Sequence, residues 1–406
     1  MRDSGWQHGI SRRSLLRGLG SLAIAQGLGG CRAQPASVLR VELLRGSVPP
    51  QLIKEFGRQT ANQTIQVKTD AQAQLQDLFS LLQSLEQTPT AELQQNAWWD
   101  WIPLIGDPTR GVLPDWVTLG DYWLQTAIAQ KLITPIDPKA LTAWGEIAKR
   151  PALATLVTRD ADGFPAPTGQ VYGLPYRVGS MVMIYRRDLL EQQQIAPPKD
   201  WADLWRPEFK HRIALLDQAR TVIGLTLKKL GRSLNTADLA TVPNLEAELL
   251  ALQHQTKLYS GASYLQPLVL GDVWVAVGWS TDGLPLAQRD RKLAIATPTA
   301  GTALWADVWV HPAKASQPLS PAASRWADFY WQPDIAKQLS TVTWAVSPVL
   351  LGTPRDQLPA TFRDHPALLP DPAILQASEF LLPLPPTAIA QYQQLWEKVR
   401  RTPPAA

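Results

Sequence analysis

A single cysteine serves the whole 406-residue chain, and it stands at position 31, directly behind a short apolar run. The segment before it holds Ser11-Arg12-Arg13-Ser14-Leu15-Leu16-Arg17, then the glycine-spaced stretch Gly18–Gly27, and ends Leu28-Gly29-Gly30-Cys31. A charged start, a short apolar run and small residues before a cut make an export signal rather than a fold element. The run is too short to span a bilayer. With Cys31 spent on processing, no cysteine remains for a disulfide, so an ordinary apolar core must hold the exported chain together.

The adjacent Arg12 and Arg13, followed by Leu15-Leu16, resemble the twin-arginine signal for export of already folded proteins. Leu28-Gly29-Gly30-Cys31 resembles a lipobox, in which the cysteine thiol is acylated and becomes the first mature residue. Together they imply a lipid-anchored protein on the periplasmic side of the cytoplasmic membrane, with Ala33–Ala36 in a tether at 31–37.

The formal charge of +4 drops once residues 1–30 leave, because four arginines (Arg2, Arg12, Arg13, Arg17) go with one aspartate (Asp3). A nearly neutral remainder without long runs of like charge gives no reason to invoke nucleic acid. At 45% apolar residues, the chain beyond the signal is long enough to bury a core, and two domains are expected.

Val38–Leu44 reads as a first strand, and Pro49 and Pro50 open a helix through Gln59. Thr64–Thr69 alternates as a strand should, and Leu75, Leu78, Phe79, Leu82 and Leu85 form a helical stripe. This β-α-β-α start argues for a parallel sheet. Residues 86–117, with Trp98, Trp99, Trp101 and Trp116, read as an insertion folded back on the body, its tryptophans used for packing. Trp116–Leu119 is expected as a buried strand, with Tyr122–Gln130 a helix after it. Further strands are expected at Met181–Tyr185, Gly271–Trp279 and Trp305–Val310. A helix from Ala219 to Leu230 is closed by Gly231, and a late helix starts at Pro333.

Six stretches carry a family resemblance: Val48-Pro49-Pro50, Leu132–Asp137, Tyr172-Gly173-Leu174-Pro175-Tyr176, Trp201–Lys210, Leu215–Thr236 and Pro333–Gln338. In that order they resemble the extracellular solute-binding proteins of ABC importers, in the spermidine/putrescine-binding branch, over most of residues 38–400. The resemblance implies an α/β fold of the type II periplasmic binding class, two lobes joined by crossover strands with a ligand cleft between them. Residues 38–184 with 280–325 would form one lobe, and 185–279 with 326–401 the other. It implies a monomer that takes a small-molecule solute, a polyamine or related amine, and delivers it to an ABC permease in the inner membrane, with no cofactor.

The pattern departs from the family where ligand is held. The aromatic-threonine-aromatic cluster before the first helix reads Leu44, Arg45 and Ser47 here. Two acidic positions that grip amines read Gln218 and Thr221, while Asp217 beside them is retained. Tyr122 falls where the family stacks a tyrosine on ligand, and Trp279 where it places a tryptophan. Holding an ammonium takes a carboxylate, an aromatic face or both. The candidates are therefore Tyr122, Trp279 and Trp305 as aromatics and Asp121, Asp217, Asp282 and Asp307 as carboxylates. Arg45 near the mouth favours a zwitterionic or anionic solute. Each has a plainer role open to it: Asp217 could cap the helix at Ala219, and Asp307 a loop.

Catalysis is not expected. The histidines His8, His211, His254, His311 and His365 show no paired spacing and no cysteine ligand accompanies them, so no metal site is expected. Gly278-Trp279-Ser280-Thr281-Asp282 has Asp where a nucleophile elbow needs its second glycine. The competing reading is a binding-fold lipoprotein that no longer transports and serves as scaffold or sensor. As a test of the anchor, Cys31→Ala should release folded protein from the membrane fraction. A variant that still pellets with membranes after a high-salt wash would show that Cys31 does not carry the lipid.

Overall fold

The computed structural model describes residues 37–63, 65–89 and 113–402. Arg12, Arg13 and Cys31 lie outside the described residues, as do Trp98, Trp99 and Trp101. Strands of the first part are β1 (Ser37–Leu44), β2 (Ile65–Gln72), β3 (Trp116–Gly120), β4 (Ile133–Thr134), β5 (Thr158–Arg159) and β6 (Gln170–Val171). They are followed by β7 (Leu174–Arg186), β8 (Ile213–Leu215), β9 (Thr256–Tyr259), β10 (Val275–Trp279), β11 (Leu293–Ala296), β12 (Ala303–Pro312) and β13 (Glu379–Phe380).

β1 runs parallel to β2 along its length and parallel to β3 on its other edge. Parallel neighbours need crossovers, which the helices Pro50–Gln59 and Leu75–Gln87 supply. The first helix starts on Pro50, where a missing N–H costs nothing, and buries Leu52 and Phe56 against the sheet. The second buries Leu78, Phe79 and Leu82. The main sheet then runs β2-β1-β3-β12-β7-β10-β8-β9.

β7 is longer than its apolar run suggests. It begins at Leu174 instead of Met181, and twelve of its thirteen residues are buried. The physical reason is a change of partner along the strand. Leu174–Ser180 pairs antiparallel with β12, whereas Met181–Tyr185 pairs antiparallel with β10 and Met183–Arg186 also with β11. A strand covered on both faces has no solvent side, so it shows no apolar-polar alternation to read.

The helix Ala219–Lys229 ends as expected, with Gly231 at φ +69° just past it. Its N-cap is Gln218, without a side-chain bond to the helix, so Asp217 does not cap it. Asp307 lies inside β12, not at a strand start or in a loop.

Aromatic packing holds β12 to its helices. Tyr176 stacks on Trp309 with ring centroids 4.0 Å apart, and Trp309 meets Trp326 edge-on at 5.9 Å. Trp326, on the helix Pro321–Tyr330, also contacts Phe56 at 5.1 Å and Tyr330 at 4.9 Å. Trp116 is fully buried and its Nε1–H donates to the Ala323 carbonyl at 3.0 Å. Since Trp326 is 0% exposed at the middle of this cluster, Trp326→Ala should cost about 3–5 kcal/mol in urea unfolding. A loss below about 1 kcal/mol would mean the site collapses without a cavity.

Candidate functional site

A cleft of about 750 Å³ opens where the carboxyl ends of β1, β3, β8 and β10 meet the start of β12. Open α/β sheets place ligands at such strand ends, because the loops there carry no obligation to the sheet. One wall comes from Leu44, Leu75, Asp121, Tyr122, Trp305 and Asp307. The opposite wall comes from Gln218–Thr221, Trp279 and Thr281. The extended run Leu381–Leu384, entering directly from β13, closes one side together with Ile389 and Tyr392.

Trp305 and Asp307 belong to the register between β12 and β7. Trp305 stands opposite Gly179, and a Cβ there would run into the indole ring, so the glycine lets that ring lie across β7. Asp307 stands opposite Arg177, whose Nε–H donates to Oδ2 at 2.6 Å. Both groups are buried, and the Arg177 guanidinium also lies 5.6 Å from the Trp305 ring centroid. Burial works against the charged form of Arg177, but the neighbouring Asp307 and Tyr176 hold its pKa above the ordinary value. Removing either partner would leave an uncompensated buried charge.

Asp121 follows β3 and is 6% exposed. Burial pushes its pKa up to about 7, with the Asp307 charge adding to the rise. Backbone N–H groups of Ala306 and Tyr122 and the charge of Arg159 oppose it. Arg159 itself is buried, donates to the carbonyls of Leu156 at 2.6 Å and Gly163 at 3.2 Å, and is drawn down to about 10 by burial.

Of the residues proposed from sequence, Asp121, Tyr122, Trp279, Trp305 and Asp307 line this cleft. Tyr122 is 57% exposed at its mouth. Asp217, Asp282 and Arg45 lie outside the lining. Asp217 is exposed and reaches Arg400 at 3.8 Å. Asp282 accepts from the Tyr264 hydroxyl at 2.6 Å, and that hydroxyl in turn accepts the Trp279 backbone N–H at 3.1 Å. The Tyr264 ring lies so close to Gly278 that no Cβ fits there. Asp282 therefore acts on the cleft by fixing where Trp279 sits. Arg45 is exposed in a turn completed by Gly46 at φ +77°, and its backbone N–H donates to the Gln72 carbonyl at 2.8 Å.

The sequence reading missed Arg177, Arg220 and the Leu381–Leu384 run. Arg220 donates to the Leu234 carbonyl at 2.6 Å, Asn235 Oδ1 at 2.9 Å and the Leu382 carbonyl at 3.1 Å, and stands 5.1 Å from the Tyr392 ring centroid. Asn235 Oδ1 also accepts the Leu382 N–H at 2.9 Å. Arg220 thus pins the run to the wall across from Asp121. The Leu-Leu-Pro-Leu-Pro composition of the run was its one available signal.

Residues 51–370 match the family of bacterial extracellular solute-binding proteins. The spermidine/putrescine-binding periplasmic protein of Salmonella typhimurium is 27% identical over 229 residues, covering 56% of this chain and 64% of that protein, so the match spans less than two thirds of it. Its counterpart from Escherichia coli is 24% identical over 286 residues, 70% of this chain and 77% of that one. Among solved structures, a spermidine/putrescine ABC transporter substrate-binding protein from Streptococcus pneumoniae superposes with a TM-score of 0.72 at 20% identity, covering 90% of this chain and 98% of that one. A GABA receptor structure superposes at 0.56 with 14% identity, covering 90% of this chain and 97% of that one.

The raised pKa of Asp121 has a signed consequence for stability. The unfolded chain loses this proton near the ordinary value of 3.8 and the folded one near 7, so the contribution to stability falls as pH rises between them and is level above. Asp121→Asn removes the effect. Its stability relative to the unchanged protein should rise with pH across that window, by up to ~1.4 kcal/mol per pH unit in urea unfolding. An identical difference at about pH 5 and about pH 8 would show that Asp121 titrates normally.

Proposed function

The chain belongs to the bacterial extracellular solute-binding proteins, and from that premise we propose that it captures a small organic amine in the cleft and delivers it to an ABC permease. The observation that carries this reading is the pairing of aromatic faces, Tyr122, Trp279 and Trp305, with the Asp121 carboxyl in one cleft at the strand ends. An ammonium leaving water is held by a carboxylate for its charge, by ring faces, or by both, and this cleft offers both. The named substrates of the spermidine/putrescine and putrescine/cadaverine relatives support the amine class. The two-lobe periplasmic binding fold is that of the solved neighbours. In this reading the chain forms two lobes, and closure about their crossover strands makes the form that a permease recognises.

Export through Arg12 and Arg13 and acylation at Cys31 complete the proposal, since a receptor tethered beside its permease works at high effective concentration. The scaffold alternative has no cleft chemistry in its favour. A thermal-shift series with putrescine, spermidine and monoamines separates the two: the receptor melts higher with at least one amine, and the scaffold with none. Trp279→Ala should weaken the best amine by about 1–3 kcal/mol in calorimetry, the scale of a truncated aromatic anchor. Undiminished binding would place Trp279 among the packing residues.

A further inference from the structure

Four charged side chains line the cleft among the described residues, Asp121, Asp307, Arg177 and Arg220, and formally they cancel. Three of them are already engaged. Asp307 and Arg177 hold each other at 2.6 Å, and Arg220 spends its donors on Leu234, Asn235 and Leu382. Asp121 differs. It is held by backbone N–H groups, and Arg159 acts on it through charge alone. The aromatic faces are divided in the same way, because Trp305 already has the Arg177 guanidinium beside its ring. What remains of the lining is chiefly apolar: Leu44, Leu75, the Leu381–Leu384 run and Ile389.

Such a cleft has one carboxyl to offer a cation and an apolar path leading from it. A linear triamine would bring three ammonium groups into a lining with one uncommitted carboxyl and leave two without a counter-charge, which burial penalises heavily. We infer that the cleft takes an amine with one cationic centre on a largely apolar or aromatic body, its ammonium at Asp121 and its body along Trp279 and the Leu381–Leu384 run, in preference to a linear polyamine. This rests on the amine-capture reading and narrows it. Among the charged and titratable groups facing Asp121 are Asp307, Arg159 and Tyr122. An arriving ammonium favours the ionised carboxyl, so a seated monocation displaces the Asp121 proton at mildly acid pH.

Calorimetry on the full chain with phenethylamine, putrescine, spermidine and 4-aminobutyrate tests the inference. Phenethylamine should bind at least tenfold more tightly than spermidine, and Asp121→Asn should lose at least tenfold of that affinity while still unfolding cooperatively. Measured on the unchanged protein in two buffers of different ionisation enthalpy, phenethylamine binding at about pH 6 should release a proton. This readout needs no variant. Spermidine as the tighter ligand overturns the inference and leaves amine capture standing. So does 4-aminobutyrate as the tightest, which would give Arg177 or Arg220 a carboxylate to hold. Phenethylamine binding without proton release, or undiminished in Asp121→Asn, overturns the seat at Asp121. Binding of no amine at millimolar concentration overturns both the inference and the reading beneath it.

Discussion

The antiparallel seam between β7 and β12 is the constraint on which the rest depends. β7 gives its first seven residues to β12 and the remainder to β10 and β11, so one continuous strand belongs to both halves of the sheet. A slip of one residue at this seam would turn every side chain to the other face. Arg177 opposite Asp307, and Gly179 opposite Trp305, penalise that slip, since one pairing is charge-matched and the other admits a single arrangement of a large ring. The seam shifts register between Asp307 and Val308, next to the ion pair. Irregularities of this kind re-aim side chains, and here they lie at the floor of the cleft.

From the seam the cleft follows. β12 runs antiparallel to β3, so the start of β12 and the end of β3 arrive at the same edge, which brings Trp305 to Asp307 beside Asp121 and Tyr122. The other wall depends on the end of β10, where Tyr264 and Asp282 fix the backbone of Trp279. Arg220 anchors the closing run from a helix some 160 residues earlier in the chain. Each functional surface is thus placed by a bond that the ligand does not make.

What was legible in the sequence is what is local. Proline at a helix start, glycine past a helix end and the alternation of strand and helix each act over a few residues, and the parallel β1–β2 pair with its crossover helix came out as read. Tyr122 and Trp279 lie at strand ends, and a strand end is a local property. The carboxylates were not legible in the same way. Asp217 and Asp282 follow strand ends and Asp307 lies inside β12, yet one is exposed beside Arg400, one serves Tyr264, and one is buried against Arg177. Those partners lie 183, 18 and 130 residues away, and no spacing rule reaches them. The full extent of β7 was hidden for another reason, because burial on both faces erases the alternation that marks a strand.

The departure from the polyamine-binding pattern then acquires a physical meaning. Where the resemblance implies carboxylates, Gln218 and Thr221 stand with Trp279 in a wall facing one uncommitted acid, whose pKa burial pushes up to about 7. An acid in that state costs less to bury empty than an ionised one, and it becomes a strong partner only when a cation arrives to hold the charge in place. With Asp307, Arg177 and Arg220 already committed, the net charge of the lining is set by Asp121 alone, positive when it is protonated and zero when it is ionised. A cleft built this way distinguishes solutes by how many charges they bring as well as by their shape.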